Sequence, residues 1–210
     1  MIAPSPQARD AALVFLGWLL LGVILLLRPR GEKGPERRRD RASLAGMVLQ
    51  GVSFGIVWGI QPARIDAGAW PGALDAASVL RTFGVASLLV ASLLLARAAV
   101  RTLGKQWSIT ARVLESHRLV TEGPYRFVRH PIYTAMLGML LATGVALSRW
   151  EATLVAIPLY AVGTLVRIRA EERLLRETFG AEYEAYIRRV GAFVPRPARP
   201  ETASGQRNPG

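Results

Sequence analysis

Between Leu119 and Tyr133 the chain reads Leu-Val-Thr-Glu-Gly-Pro-Tyr-Arg-Phe-Val-Arg-His-Pro-Ile-Tyr, which sets a histidine, two tyrosines and two arginines against an apolar run. A second polar segment, Arg167-Ile-Arg-Ala-Glu-Glu172, follows the next apolar run. Gly123-Pro124 signals a turn, and Pro131 suits the first position of a helix, where its missing N–H has no partner to lose. His130 is therefore expected at the mouth of a helix, beside unpaired backbone N–H groups and the positive end of the helix dipole, a place suited to an anionic or carboxylate-bearing ligand. Arg167 and Glu171 are four apart and share a helix face, while Glu172 points elsewhere. The plain alternatives are a helix cap and lipid anchor at Arg129-His130 and a surface ion pair at Arg167/Glu171. With no cysteine there is no thiolate nucleophile and no cysteine zinc site, and two histidines, His117 and His130, leave little for a metal.

The elements that must position these groups are membrane helices. The chain is 51% hydrophobic yet carries a formal charge of +12, which fits a chain whose apolar and basic residues are segregated. Apolar runs cover Ala11–Leu27, Ala42–Ile60, Ala77–Val100, Ile132–Ser148 and Ala152–Val166, against the ~20 residues a spanning helix needs. The last is short and contains Pro158, so it is expected to continue as helix into its polar flank. Arg81 and Arg97, near the ends of the third run, read as snorkelling anchors. Gly46, Gly51, Gly55 and Gly59 are candidates for helix contacts.

Arg and Lys crowd the segments after the first, third and fifth runs, with only Arg64 after the second and Arg149 after the fourth. That alternation predicts an N-terminus outside, a cytoplasmic C-terminus and a cytoplasmic-membrane location. The first run reads as an uncleaved anchor, since positive charge follows it and does not precede it. Membrane lipid accounts for the basic excess without a nucleic-acid partner. Only Arg149-Trp150-Glu151 joins the fourth and fifth runs, which predicts an antiparallel hairpin carrying His130 and Arg167 to one side of the membrane. Beyond Glu172, apolar residues at helical spacing predict a tail helix interrupted at Gly180, either an interfacial anchor or a lid. The expected fold is thus all-α: a polytopic membrane protein of about five transmembrane helices with a C-terminal helical hairpin and a cytoplasmic pocket. Residues 1–102 hold the first three helices, 103–194 the polar segments and tail helix, and 195–210 a disordered tail.

Gly104-Lys-Gln-Trp-Ser108, His117-Arg-Leu-Val120, Gly123-Pro-Tyr125, Arg129-His-Pro-Ile-Tyr133, Glu171-Glu172, Phe179-Gly180 and Tyr183…Tyr186 occur in that order. This set resembles the isoprenylcysteine carboxyl methyltransferase family, with the related phospholipid N-methyltransferases, in a bacterial-type homologue. The resemblance runs from about Leu103 to Pro195; the first half matches only as hydrophobic spans. It implies a multi-span methyltransferase that uses S-adenosylmethionine without a Rossmann domain and takes a lipid or isoprenoid methyl acceptor. By motif match His117, Leu119, Val120, Tyr125, His130, Tyr133 and Glu171 would line the cofactor pocket, Arg167 would face the acceptor, and no metal is involved. Three other readings stay open: a phospholipid N-methyltransferase, a nicotinamide-dependent reductase of sterol-like lipids carrying a similar Arg-His-Pro-x-Tyr element, and a non-catalytic membrane scaffold.

Overall fold

The computed structural model describes residues 6–27, 36–39, 42–60, 76–106, 112–114, 118–193 and 195–196. Helices dominate: α1 Pro6–Leu26, α2 Ala42–Gly59, α3 Ala76–Leu103, α4 Pro131–Leu147, α5 Trp150–Phe179 and α6 Ala181–Arg189. The all-helical expectation holds for the body of the protein, with one small addition. Strands β1 Glu36–Arg39 and β2 Arg112–Leu114 pair antiparallel, with Arg39 opposite Arg112, so the segments after α1 and α3 meet.

Among the described residues, three helices are long and apolar enough to cross a membrane: Pro6–Leu26, Ala76–Gln106 and Trp150–Phe179. Ser43–Gly59 and Pro131–Leu147 are shorter apolar helices. Large side chains such as Phe15, Leu19, Leu80, Phe83, Leu94, Leu154 and Val155 are exposed on the outside of the bundle. An apolar surface of this extent belongs in lipid, and the chain is an integral membrane protein.

Helix α4 lies at the centre. Its Ala135, Met139 and Ala142 pack with Val14 and Leu21 of α1 and Val85, Leu89 and Ala96 of α3. On another side its Leu140 meets Val57 of α2 and Ala156 and Tyr160 of α5. The α4–α5 connection is shorter than expected, only Ser148 and Arg149, and its Arg149 N–H donates to the Ile60 carbonyl just past α2. The hairpin forms, but α5 leans chiefly on α2 and α4 chiefly on α3. As expected, α5 passes Pro158 and runs on into the polar segment, ending at Gly180 with φ of +51°.

Close approach explains the α2–α5 pairing. A Cβ built on Gly46 would lie 2.5 Å from the Gly163 carbonyl oxygen and 2.6 Å from Arg167 Cγ, and one on Gly163 would lie 2.8 Å from the Gly46 oxygen. Lipid provides no hydrophobic drive between helices, so association depends on this kind of backbone proximity. Of the glycines expected at contacts, only Gly46 is one; Gly51, Gly55 and Gly59 have open space where a side chain would go. Periodicity marks a face as small, but the crossing point decides which small residue is needed.

Arg81 also departs from expectation. It does not simply reach for headgroups: its Nε lies 2.8 Å from Oδ2 of Asp10, which is fully buried on α1 and accepts from Thr82 Oγ1 at 2.6 Å. Arg97 is exposed, in keeping with an anchor. Of the basic residues behind the topology expectation, Arg28, Arg30, Lys33, Arg41 and Arg64 lie outside the described residues, as do residues 197–210 of the tail.

Gly46→Ala should force α2 away from α5, with a loss of about 1–3 kcal/mol, the usual cost of overpacking. Denaturant titration of the purified protein in mixed micelles reads this directly, and Gly55→Ala, facing open space, is the matched control. Equal stability of the two variants would contradict the packing argument.

Candidate functional site

The site begins where α4 begins. A 3₁₀ turn, Gly123–Arg126, sets up Val128, Arg129 and His130, and His130 is the residue before the first turn of α4. Its side chain does not cap the helix. Instead the stretch is held from the C-terminal side: Arg129 N donates to Gly191 O at 2.8 Å and His130 N to Ala192 O at 3.1 Å. The imidazole, buried, is left to meet the polar extension of α5. Its Nε2 lies 3.2 Å from Glu172 Oε1 and its Nδ1 3.7 Å from Glu171 Oε2.

Glu172 does not point away from the site, contrary to the helix-wheel expectation. Its carboxylate accepts from Arg129 Nη2 at 2.8 Å and Nε at 3.1 Å, and from Arg176 Nη2 at 3.3 Å. Arg129 also donates to the Val190 carbonyl. Consecutive residues on a helix diverge by ~100°, but His130 lies between the two carboxylates and uses both. Glu171 takes the inner side: the Tyr133 hydroxyl donates to it. Tyr133 in turn accepts from Arg167 Nε at 2.9 Å, so a single phenol links the Arg167 cation to the Glu171 carboxylate. Arg167 is buried, with Nη1 donating to Gln50 Oε1 at 3.2 Å and its guanidinium carbon 5.2 Å from the Tyr133 ring centroid.

Of the residues expected from sequence, Leu119, Val120, Tyr125, His130, Tyr133, Arg167 and Glu171 line one cavity of about 600 Å³; His117 lies outside the described residues. That volume is in the range of small-molecule sites. Val120 and Tyr125 are buried against Ala99 of α3. Helix α6 closes over them: Tyr183 and Tyr186 line the cavity, and the Tyr186 hydroxyl donates to the Tyr125 carbonyl at 2.7 Å. Away from this polar end, the cavity continues between Trp18, Leu21 and Leu25 of α1, Met47 and Phe54 of α2, and Ala96 and Val100 of α3.

Sequence reading missed Arg129 and Glu172 as the site's brace, Gln50 as a partner of Arg167, and the apolar arm. Gln50 had a signal: it is the one carboxamide in the apolar run Ala42–Ile60, and polar residues within a span are functional candidates. The apolar arm had none, because leucines lining a cavity read like leucines facing lipid.

Residues 85–177, which hold most of α3, all of α4 and the polar flank of α5, match the model of the isoprenylcysteine carboxyl methyltransferase family. This segment is similar to that family. Protein-S-isoprenylcysteine O-methyltransferase B of Arabidopsis thaliana is 32% identical over 126 residues, 55% of this chain and 59% of the relative. The protein-S-isoprenylcysteine O-methyltransferase of Schizosaccharomyces pombe is 31% identical over 120 residues, 56% of this chain and 50% of the relative. Cobalt-zinc-cadmium resistance protein CzcN of Cupriavidus metallidurans is 35% identical over 101 residues, 47% of this chain and 45% of the relative. The chain thus spans about half the length of the curated relatives it matches. Gln50 and most of the apolar arm fall before the family segment, and Tyr183 and Tyr186 after it.

Burial by itself pushes the His130 pKa down, but hydrogen bonds with Glu171 and Glu172 and the charge of both carboxylates outweigh it, and the net shift is upward from 6.5. A raised folded-state pKa means that the fold binds the proton more tightly than the unfolded chain. The stabilisation is complete below the unfolded value and is lost as pH rises through the folded one. The difference in melting temperature between wild type and His130→Asn, followed from about pH 5 to about pH 9, should therefore be largest in acid and shrink toward alkaline pH. A difference that grows with pH would mean that His130 is neutral in the fold.

Proposed function

We propose that the protein is an S-adenosylmethionine-dependent methyltransferase acting on a lipid-borne or isoprenoid carboxylate. The observation that carries this reading is the single cavity in which a polar interfacial end, with His130, Tyr133, Arg167 and Glu171, runs on into an apolar arm between membrane helices. A soluble cofactor suits the first part and a lipid chain the second. The names of the relatives from Arabidopsis thaliana and Schizosaccharomyces pombe point the same way.

The polar end fits such a cofactor by its donor set. Pro131 opens α4 with no side-chain cap, so the backbone N–H groups of the first turn are available to a carboxylate. Glu171, the more exposed of the two glutamates, is placed for an ammonium or a ribose hydroxyl. Val120 and Tyr125 offer an apolar wall for a flat base. When bound, the cofactor supplies a methyl group already activated by its sulfonium.

The remaining work is positional. A carboxylate acceptor is ionised at neutral pH and needs no general base. Arg167 holds it electrostatically, and the Tyr133 hydroxyl couples that cation to Glu171 on the cofactor side. Transfer needs the reacting atoms ~3–3.5 Å apart and in line, and the apolar arm keeps water from competing.

We read the membrane arrangement as five spans with the polar end of the cavity cytoplasmic. Helices α2 and α4 have 18 and 17 residues, which at ~1.5 Å rise per residue gives about 26 Å, close to a ~30 Å hydrocarbon core. Reporter fusions after Arg41, Gly72, Glu115, Arg149 and Gly210 should read in, out, in, out, in; a cytoplasmic signal at Gly72 overturns this topology.

Calorimetry on purified protein should show S-adenosylmethionine binding weakened by both His130→Ala and Glu171→Ala. Binding of NADPH in its place would favour the reductase reading, and no binding of either the scaffold. Arg167→Lys keeps the charge but loses the planar fork. It should leave cofactor affinity nearly unchanged and cost about 2–4 kcal/mol in turnover of a prenylated-cysteine carboxylate, the scale of one preorganised donor. Full activity in this variant would reduce Arg167 to a generic charge.

A further inference from the structure

Gln50 lies near the middle of α2, 2% exposed, in a helix otherwise made of apolar and small residues. A primary amide there is costly unless both its ends are bonded, and both are. Nε2 donates to Thr164 Oγ1 at 2.8 Å, and Oε1 accepts from Arg167 Nη1 at 3.2 Å. Thr164 and Arg167 are three apart, so they occupy one face of α5, and this one amide grips both. The glycine contact makes the grip possible: with no side chain at Gly46 or Gly163, the α2 backbone comes against the stem of Arg167, and a Cβ on Gly163 would lie 3.0 Å from the Gln50 backbone nitrogen. From the other side the Tyr133 hydroxyl accepts from Arg167 Nε. The guanidinium is thereby held at two nitrogens by two different helices, and Gln50 lines the same cavity.

We infer that Gln50 is a positioning residue for the methyl acceptor: through its hydrogen bond it sets the plane of the Arg167 guanidinium, and so the direction in which an acceptor carboxylate is presented. This rests on the methyltransferase reading above. It also assigns a task to the N-terminal half of the chain, since Gln50 precedes the family segment at 85–177. An arginine whose plane can rotate still attracts a carboxylate but no longer aims it, and aim is what an in-line transfer requires.

The test is a double-mutant cycle on the full chain in lipid nanodiscs, with S-adenosylmethionine as donor and N-acetyl-S-farnesylcysteine as acceptor. Gln50→Met, close to isosteric, should lower kcat/KM for the acceptor about tenfold, within the range of coupling between contacting residues, and leave S-adenosylmethionine affinity within about twofold. In the Arg167→Lys background the same substitution should cost almost nothing, because the group it acts through has already lost its fork. An equal loss in both backgrounds, or no loss in the first, overturns the proposal. Should Gln50→Met fail to fold, Thr164→Val removes the hydroxyl that anchors the amide and should show the same background dependence. Absence of transfer in the wild type would overturn the parent reading, and with it the acceptor role, but not the hold of Gln50 on the Arg167 guanidinium. The lock is then read by nuclear magnetic resonance of arginine-labelled protein, with Arg167 assigned by its loss in Arg167→Lys. Its guanidinium protons should exchange slowly in wild type and fast in Gln50→Met, and identical exchange overturns the proposal.

Discussion

The site depends on one buried carboxylate. Glu172 takes Arg129 from the approach to α4, His130 from its mouth and Arg176 from its own helix. Its value comes from what it joins: Arg129 also reaches the Val190 carbonyl, so one side chain binds the α4 entrance, the end of α5 and the segment after α6. A buried charge is tolerable only when its partners are this complete, and here completing them requires all three pieces to be in register. The cavity wall built by Tyr125, Tyr183 and Tyr186 follows from that register.

The second constraint is the α2–α5 contact, and it has a different origin. It is made by the absence of side chains at Gly46 and Gly163, which lets two helices in an apolar medium approach closely enough for Gln50 to reach Thr164 and Arg167. The first contact organises the aqueous end of the site and the second its membrane end. Tyr133 stands between them, stacked near His130, donating to Glu171 and accepting from Arg167. A site that received one ligand from water and another from lipid, as proposed above, would need both ends held independently and coupled at one point, and this phenol is placed at that point.

Much of this was legible in the residues themselves. Apolar runs, a Pro at a helix start, a Gly at a helix end and the order of the polar motifs depend on local chemistry, and local chemistry is written in consecutive residues. So the helices, the break at Gly180 and the placing of His130 and Arg167 at one end of the hairpin could be read in advance, while Tyr133 and Glu171 beside them followed from the resemblance. The part of Glu172 could not, because a helix wheel records which way a residue leaves its own axis and says nothing about a neighbour reaching around to meet it. The contacts of Asp10 are likewise out of reach of its neighbours in the chain, since they are Arg81 and Thr82 on another helix.

By itself, then, the sequence determined that the chain enters a membrane and where its helices start and stop, since each of these follows from side-chain type and spacing along one segment. Tertiary structure alone decided that α5 leans on α2 and not mainly on α4, that Gly46 and not Gly55 is the contact, and that Gln50 meets Arg167. Those outcomes depend on the angle and depth at which two helices cross, and such crossings are set by the packing of all the helices together.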